Sequence, residues 1–409
     1  MNMELLSGGQ PVLKSPTLAR GTSQNGVRIY HQRLALSLIR KHGSLPKAEI
    51  AKLTGLSAQT VSVIVRQLEI EQLVIKEKPL RGKVGQPLVP FSLNPDGAYS
   101  IGLKVGRHSG DLILLDLTGK IRRKVHRAYH FPTPQKFMAF VTTGLDELLA
   151  DLTAAQRERI SGFGIAAPFE LWNWEEEIGA SHDVFEAWRD FDIVSEIEKL
   201  GNWPVHFSND ATAACAAELL FGKGNQFHTY AYFFLGYFIG GGVVINGHVF
   251  PGRSGYAGAI GSMPITDPDG RCHQLIHSAS LFVLENQLKS AGLDPARLTP
   301  SPEYWGDVGP ELDVWLDKAA RSLATACVAT MSVIDFEAIV IDGAMPAEVR
   351  EQLVARTRQA LGAHDLRGLP KFTVEAGSIG SDARAMGAAS LSLFANYIID
   401  RDVLFKETT

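Results

Sequence analysis

Two stretches limit what this chain can fold into. Residues 101–121, IGLKVGRHSGDLILLDLTGKI, and residues 229–250, TYAYFFLGYFIGGGVVINGHVF, are each apolar runs of strand length bent at glycines. The first belongs to a meander whose strands are expected at 99–106, 110–116 and 121–130. ISGFGIAAP and PVHFSNDATAACAAELLFG follow as buried strands, the second passing through a polar turn into a helix. After the second block come a helix and a strand, ACVATMSVIDFEAIVIDGAM. A strand, a loop and a Gly/Ala-rich closing helix, VEAGSIGSDARAMGAASLSLF, complete the series. A meander followed by alternating helix and strand, given twice, makes two α/β lobes with a cleft between them. Helical repeats and low-complexity tracts are absent, and 409 residues suffice for a sizeable core.

The N-terminal quarter stands outside that scheme, and charge separates it. Residues 1–95 carry 13 Lys or Arg against 5 Asp or Glu, a net of +8, which leaves −12 on the remainder of a chain whose total is −4. One end suits a polyanion and the rest does not. Residues 1–27 are polar and hold Pro and Gly, so a disordered leader is expected. IYHQRLALSLIRKHG then has helical spacing and a glycine stop at Gly43. A short helix from about 46 to 54 and a turn at Gly55 lead to a second helix that Ser57 is placed to cap.

In that second helix Val61, Ile64, Val65 and Leu68 form the stripe of a buried face. The opposite face presents Ala58, Gln59, Thr60, Ser62, Val63 and Arg66: amides and hydroxyls that read base edges, small groups for thymine methyls, and a cation. LVIKEKPLRGKVGQPLVPFSL follows as two short strands around a basic Gly-rich loop bearing Lys76, Lys78, Arg81 and Lys83, the pattern of a wing. Residues 28–93 therefore read as a winged helix-turn-helix that binds DNA through Ser57, Ala58, Gln59, Thr60, Ser62, Arg66, Arg81 and Lys83. Residues 94–98, with a Pro-Asp-Gly turn, read as the linker to a two-lobed domain at 99–409.

Several classes are set aside. No run of eighteen apolar residues occurs and the N-terminus lacks the apolar core of a signal peptide, so the expected compartment is the cytoplasm, with no membrane partner. Cys215, Cys272 and Cys327 are odd in number and far apart, which argues against a disulfide framework or a self-contained zinc finger.

In order, the winged helix, the 101–121 block, SNDATAACAAE, LGYFIGGGVVINGHVFPGRSGYAGAIGSMPI and GSDARAMGAASL resemble the ROK family of repressors, open reading frames and sugar kinases. The likeness runs over nearly the whole chain from about residue 28. It implies an actin-like, ribonuclease-H-like pair of lobes closing on a sugar. Members with the N-terminal domain are mostly sugar-responsive regulators, and members without it are mostly ATP-dependent kinases.

Position by position, the chemistry separates these two activities. Phosphoryl transfer needs a base, a metal-organising carboxylate and donors around the phosphates. Asp210 matches the family's catalytic base, with Asn209 beside it. The first phosphate motif, Asp-x-Gly-x-Thr, reads Lys104, Val105, Gly106, Arg107, His108. The second, a Gly-Thr-Gly run, reads Gly236, Tyr237, Phe238, Ile239, Gly240, Gly241, and the adenosine-side Gly-Gly reads Asp342, Gly343. Lys104, Gly106, His108, Gly240 and Gly241 are thus degenerate phosphate positions, and no enzyme activity and no cofactor are expected. Of the family's zinc cluster only Cys272 remains, with His273 and His277 nearby, so no metal is expected.

On the sugar side, the family's Glu and His are Ala259 and Ser262. Arg253, Ser254, Tyr256, Ser262, Ser181, Asn209 and Asp210 are the candidate ligand residues, and Trp188 is either a stacking platform or a core side chain. Lys104 is expected either to pair with Asp210 across the cleft floor or to lie exposed at a strand end. The whole reads as a transcriptional regulator, a repressor of carbohydrate-utilisation genes, whose partners are operator DNA, a sugar effector and further copies of itself as a dimer or tetramer. A sugar kinase with an accessory DNA-binding domain is the alternative, and a regulator answering to a protein partner is a third reading.

Overall fold

A computed structural model describes residues 24–79, 88–129, 133–169, 182–267, 269–298, 305 and 307–399. The DNA-binding unit starts with helix α1 (Gln24–His42), which stops at Gly43, a residue with φ +76°. The first helix therefore begins four residues inside the expected disordered leader. Ser23 and Asn25 are capping residue types, but no apolar repeat runs through residues 24–27 to mark a helix there.

Strand β1 (Ser44–Pro46), helix α2 (Lys47–Thr54) and helix α3 (Ala58–Ile70) follow. Gly55 takes φ +70° between α2 and α3, and Ser57 Oγ accepts from Thr60 N at 3.1 Å, so the expected turn and cap are both present. Val61, Ile64, Val65 and Leu68 are buried as their spacing requires. Strands β2 (Val74–Lys76) and β3 (Pro90–Leu93) form the wing, and β3 is the middle strand of a β1-β3-β2 sheet. The loop holding Arg81 and Lys83 lies outside the described residues.

Strands β4 (Tyr99–Val105), β5 (Ser109–Asp116), β6 (Ile121–Ala128), β7 (Ile160–Ala167) and β8 (Val205–Asn209) make the first lobe, in the order β6-β5-β4-β7-β8. Helix α4 (Pro134–Leu149), capped by Thr133, covers one face. Helix α5 (Asp210–Phe221) then leads to the second lobe, built from β9 (Tyr230–Leu235), β10 (Ile239–Ile245), β11 (His248–Val249), β14 (Ala338–Gly343) and β15 (Thr373–Ala376). Its order, β11-β10-β9-β14-β15, repeats that of the first lobe: an antiparallel meander extended by two parallel strands. A hairpin of β12 (Pro264–Thr266) and β13 (Cys272–Gln274) precedes helices α6 (Pro310–Met331) and α7 (Ala347–Leu361).

The closing helix α8 (Ala383–Tyr397) packs on α5 and across β4 and β7. Glycines bring these backbones together: a Cβ at Gly102 would overlap the Ala385 carbonyl, one at Gly164 the Ala388 carbonyl, and one at Gly387 the Ala213 carbonyl. The DNA-binding unit is not a bead on a loose string. Its core residues Leu36, Ile39, Val61 and Leu68 belong to one apolar cluster with Leu115 of β5 and Met386, Ala389 and Leu393 of α8. The expected linker is part of this packing, with Gly97 and Ala98 buried and Asn94 hydrogen-bonded through its N–H to Leu73 O and through Nδ2 to Gln72 O.

Candidate functional site

On α3, Ala58, Gln59, Thr60, Ser62, Val63 and Arg66 are all exposed, Val63 at 65%. Ser57 and Thr60 share a hydroxyl contact of 2.8 Å, and Ser62 Oγ accepts from Lys47 Nζ at 3.3 Å. Gln59 and Arg66 are thus the long side chains that this face offers to a groove. The N-terminal half of α1, which the sequence reading left out, adds to it. Gln24, Arg28 and His31 line a groove of about 430 Å³ together with Gln59, Thr60 and Val63. Lys76 of the wing strand is held by Glu69 at 2.6 Å.

Between the lobes lies a cavity of about 200 Å³. Asn209 and Asp210 form part of its lining because the β8–α5 junction points into the cleft. The Asn209 side chain caps α5, its Oδ1 accepting from Ala211 N at 3.0 Å and Thr212 N at 3.3 Å. Arg107 and Phe169 reach in from the first lobe; Phe238, Gly240, Gly241, Tyr256 and Ser262 come from the second. Phe169 and Tyr256 meet edge to face across the opening at 4.9 Å. Asp210 Oδ2 accepts from Arg384 Nη1 at 3.5 Å, and the Arg384 guanidinium lies 5.1 Å from the centre of the Phe234 ring.

Of the candidate ligand residues, the fold gathers Asn209, Asp210, Tyr256 and Ser262. Arg253 and Ser254 are exposed and are not part of the cavity lining, whereas Tyr256, also exposed, lies at its rim. Ser181 lies outside the described residues. Trp188 is a core side chain of the first lobe, buried against Phe137 and Phe191 at 5.5 Å each, so it offers no stacking platform. Ala259 lines the cavity as a methyl. Arg384, Phe169 and Arg107 are the residues that the sequence reading did not place in the site.

The expected pairing of Lys104 with Asp210 is corrected, as is the exposed alternative. Lys104 is buried, and its Nζ meets Asp111 Oδ2 at 3.0 Å, Ser109 O at 3.1 Å and Ser109 Oγ at 2.6 Å. The hairpin register places Lys104 directly opposite Asp111. Burial pushes the Lys104 ammonium down to about 8, against the pull of Asp111. Burial alone would raise the Asp111 carboxyl, but the Lys104 charge, the His126 hydrogen bond at 2.6 Å and Lys124 hold it well below the ordinary carboxylate range.

The turns at 106–109 and 236–240 are filled by the protein itself. Gly106 N donates to Ser109 O at 3.0 Å, and a Cβ there would press on the Lys104 side chain at 2.7 Å, so this glycine closes a turn over the lysine. His108 packs edge to face on Tyr237 at 4.6 Å, and Arg107 lies 4.3 Å from the Phe238 ring centre. Two loops, one from each lobe, thus touch through rings and a cation. In the second lobe, the buried Asp342 accepts from Gly380 N and Tyr232 Oη at 3.0 Å and from Arg350 Nη1 at 2.8 Å. Glu218 accepts from Ser378 N at 3.1 Å and Ile379 N at 3.2 Å. Those amides already donate to side-chain carboxyl oxygens.

Cys272 is exposed on β13, and His273 is tied to Ser278 Oγ at 2.5 Å. No cluster of three or more metal-ligating side chains occurs among the described residues, and none of their helices is long and apolar enough to cross a membrane.

Comparison with known proteins follows the same division. The ROK family profile matches residues 100–280, and a profile described as winged helix-turn-helix DNA-binding matches residues 30–74. The chain is 29% identical over 249 residues to the xylose repressor of Bacillus subtilis, a match that spans 61% of this chain and 64% of that protein. A solved ROK family transcriptional regulator, a homologue of the E. coli MLC protein, superposes with a TM-score of 0.65 at 18% identity, over 93% of this chain and 100% of that one. A ROK family glucokinase from Streptomyces griseus superposes with a TM-score of 0.53 at 20% identity, over 72% of this chain and 99% of that one. The chain carries a ROK family domain behind a winged helix-turn-helix.

Proposed function

We propose that this protein is a transcriptional repressor of carbohydrate-utilisation genes that binds operator DNA as a homo-oligomer and responds to a sugar in the interlobe cleft. The observation that carries the reading is the cleft itself. At about 200 Å³, with Asn209, Asp210, Phe169, Tyr256 and Ser262 in its lining, it suits a small polar ligand such as one sugar ring. Asp210 is the acceptor for a sugar hydroxyl, Phe169 and Tyr256 supply apolar walls, and Ser262 adds a hydroxyl.

The kinase alternative draws on the retained Asp210 and on the shared fold. Against it stand the turn over Lys104, the rings at Tyr237 and Phe238, and amides capped by Asp342 and Glu218. Each removed donor or metal ligand costs transition-state stabilisation that Asp210 alone does not replace, about two to three orders of magnitude for a preorganised donor. Two measurements test the proposal. A thermal-shift screen of sugars and sugar phosphates should reveal a ligand stabilising by about 2.7 kcal/mol at a hundred times its dissociation constant. A salt-titrated gel shift on DNA flanking the gene should give a sequence-preferring complex that this ligand weakens. ATP-dependent phosphorylation of any sugar, abolished by Asp210→Asn, would establish the kinase instead.

A further inference from the structure

Two helices join the floor of the cleft to the DNA-binding unit. α5 starts at Asp210 and ends at Phe221; α8 starts at Ala383 and ends at Tyr397. At the cleft end, Arg384 in the first turn of α8 touches both Asp210 of α5 and Phe234 of the second lobe. Its 3.5 Å contact with Asp210 is long against the ~2.7–2.9 Å of a charge-assisted hydrogen bond. Its Nε is buried without a hydrogen-bond partner. The pair is therefore incomplete, and a ligand hydroxyl can compete for the carboxylate.

At the far end the same two helices meet α1. The Arg40 guanidinium lies 5.6 Å from the centre of the Phe221 ring, and Arg33 Nη2 donates to Ala395 O at 2.6 Å. Just beyond α8, Ile399 N donates to Ser37 Oγ at 3.3 Å. Between the two ends there is no slack. Gly387 sets the α8 backbone against that of α5, while Gly102 and Gly164 set it against β4 and β7. A contact packed backbone to backbone cannot absorb a displacement by changing rotamers, so it passes the displacement on.

We propose that Arg384 is the positioning residue through which occupancy of Asp210 is read, and that α5 and α8 move as one unit to carry the change to α1. Phe221 with Arg40, and Ala395 with Arg33, are the output contacts. A hydroxyl donating to Asp210 releases Arg384 toward Phe234, and the first turn of α8 follows its side chain. The regulatory meaning rests on the proposed function, but the mechanical link requires neither DNA nor sugar to be observed.

Hydrogen–deuterium exchange on the full chain tests it with Asp210→Asn, Phe221→Leu and the double variant. Asp210→Asn weakens the hold on Arg384 and should speed exchange about fivefold, the lower end of ordinary coupling, in both the first turn of α8 and the second half of α1. Arg384→Gln should reproduce this pattern and Arg384→Lys should largely preserve the wild-type one. In the double variant the α8 response should remain while the α1 response falls to that of Phe221→Leu alone. Wild-type exchange in α1 of Asp210→Asn, or simple addition of the two effects, overturns the proposal. Failure to find an operator or an effector would sink the regulatory reading and leave this result standing.

Discussion

Replacing Lys104 by Met should destabilise the protein by about 3 kcal/mol at pH 7, because it strands a buried carboxylate. The Lys104 and Asp111 side chains are only 5% and 10% exposed, so solvent screening does little to reduce the effect. Removing one member of such a pair costs about 3–5 kcal/mol. Asp111 would keep His126 at 2.6 Å and Lys124 at 3.9 Å, which places the loss at the lower end. The pH dependence has a definite sign. Asp111 is depressed in the folded state, so its contribution is present above the unfolded value of about 3.9 and is lost as pH falls through the folded value. Without Lys104 that folded value rises, and the stranded carboxylate takes up a proton at higher pH. The gap between wild type and Lys104→Met should therefore be widest near neutrality and should narrow on acidification toward pH 4. Urea denaturation followed by tryptophan fluorescence across this range measures it. The Lys104→Met/Asp111→Asn double variant should recover most of the loss at pH 7, since no unpaired charge remains. A loss below about 1 kcal/mol, or a gap that does not change with pH, refutes the account of Lys104 as a structural ion-pair partner.

Other perturbations test separate parts of the molecule. Gly164→Ala drives a methyl into the Ala388 carbonyl, which is backbone and cannot rotate away, so a loss of about 3 kcal/mol or more is expected in thermal denaturation. Ser57→Ala removes the oxygen that caps α3 and should cost about 1 kcal/mol, read as a lower melting temperature of the DNA-binding unit. Gln59→Ala should weaken operator binding by about 1–3 kcal/mol and relax preference at one base pair, whereas Arg28→Ala should weaken all sequences alike and flatten the salt dependence. Fluorescence anisotropy on specific and scrambled duplexes separates these two outcomes.

The features visible in the sequence are those fixed by local spacing. The α3 stripe, its Ser57 cap and the Gly55 turn follow from helical periodicity and short-range hydrogen bonding, which neighbouring residues determine almost alone. The doubled succession of a meander and then helix and strand was visible for the same reason, as closely spaced runs of strand length open each half. β1 was missed because three residues ending in Pro46 carry no period, and Gln24 gives no start signal. The fate of Lys104 was legible in principle: a hairpin closing over residues 106–109 places 104 opposite 111, yet the reading followed the family's cleft chemistry across the molecule instead. Arg384 and Asp210 are 174 positions apart, and no spacing rule joins them. Phe169 and Arg107 likewise enter the cleft only through the packing of two lobes.

Under the proposed function, the role of Asp210 follows from the size of the effect a sensor needs. His108 on Tyr237 and Arg107 on Phe238 already bring the two lobes into contact. What a ligand must add is only its differential affinity for one arrangement of the lobes, typically about 1–3 kcal/mol in allosteric proteins. A hydrogen bond from a sugar hydroxyl to an ionised carboxylate is worth about 1.5–3 kcal/mol. One such bond at Asp210, less the long Arg384 contact it displaces, is of the order of the coupling energy a sensor needs. Under the proposed function, a carboxylate at this place is accounted for by ligand sensing.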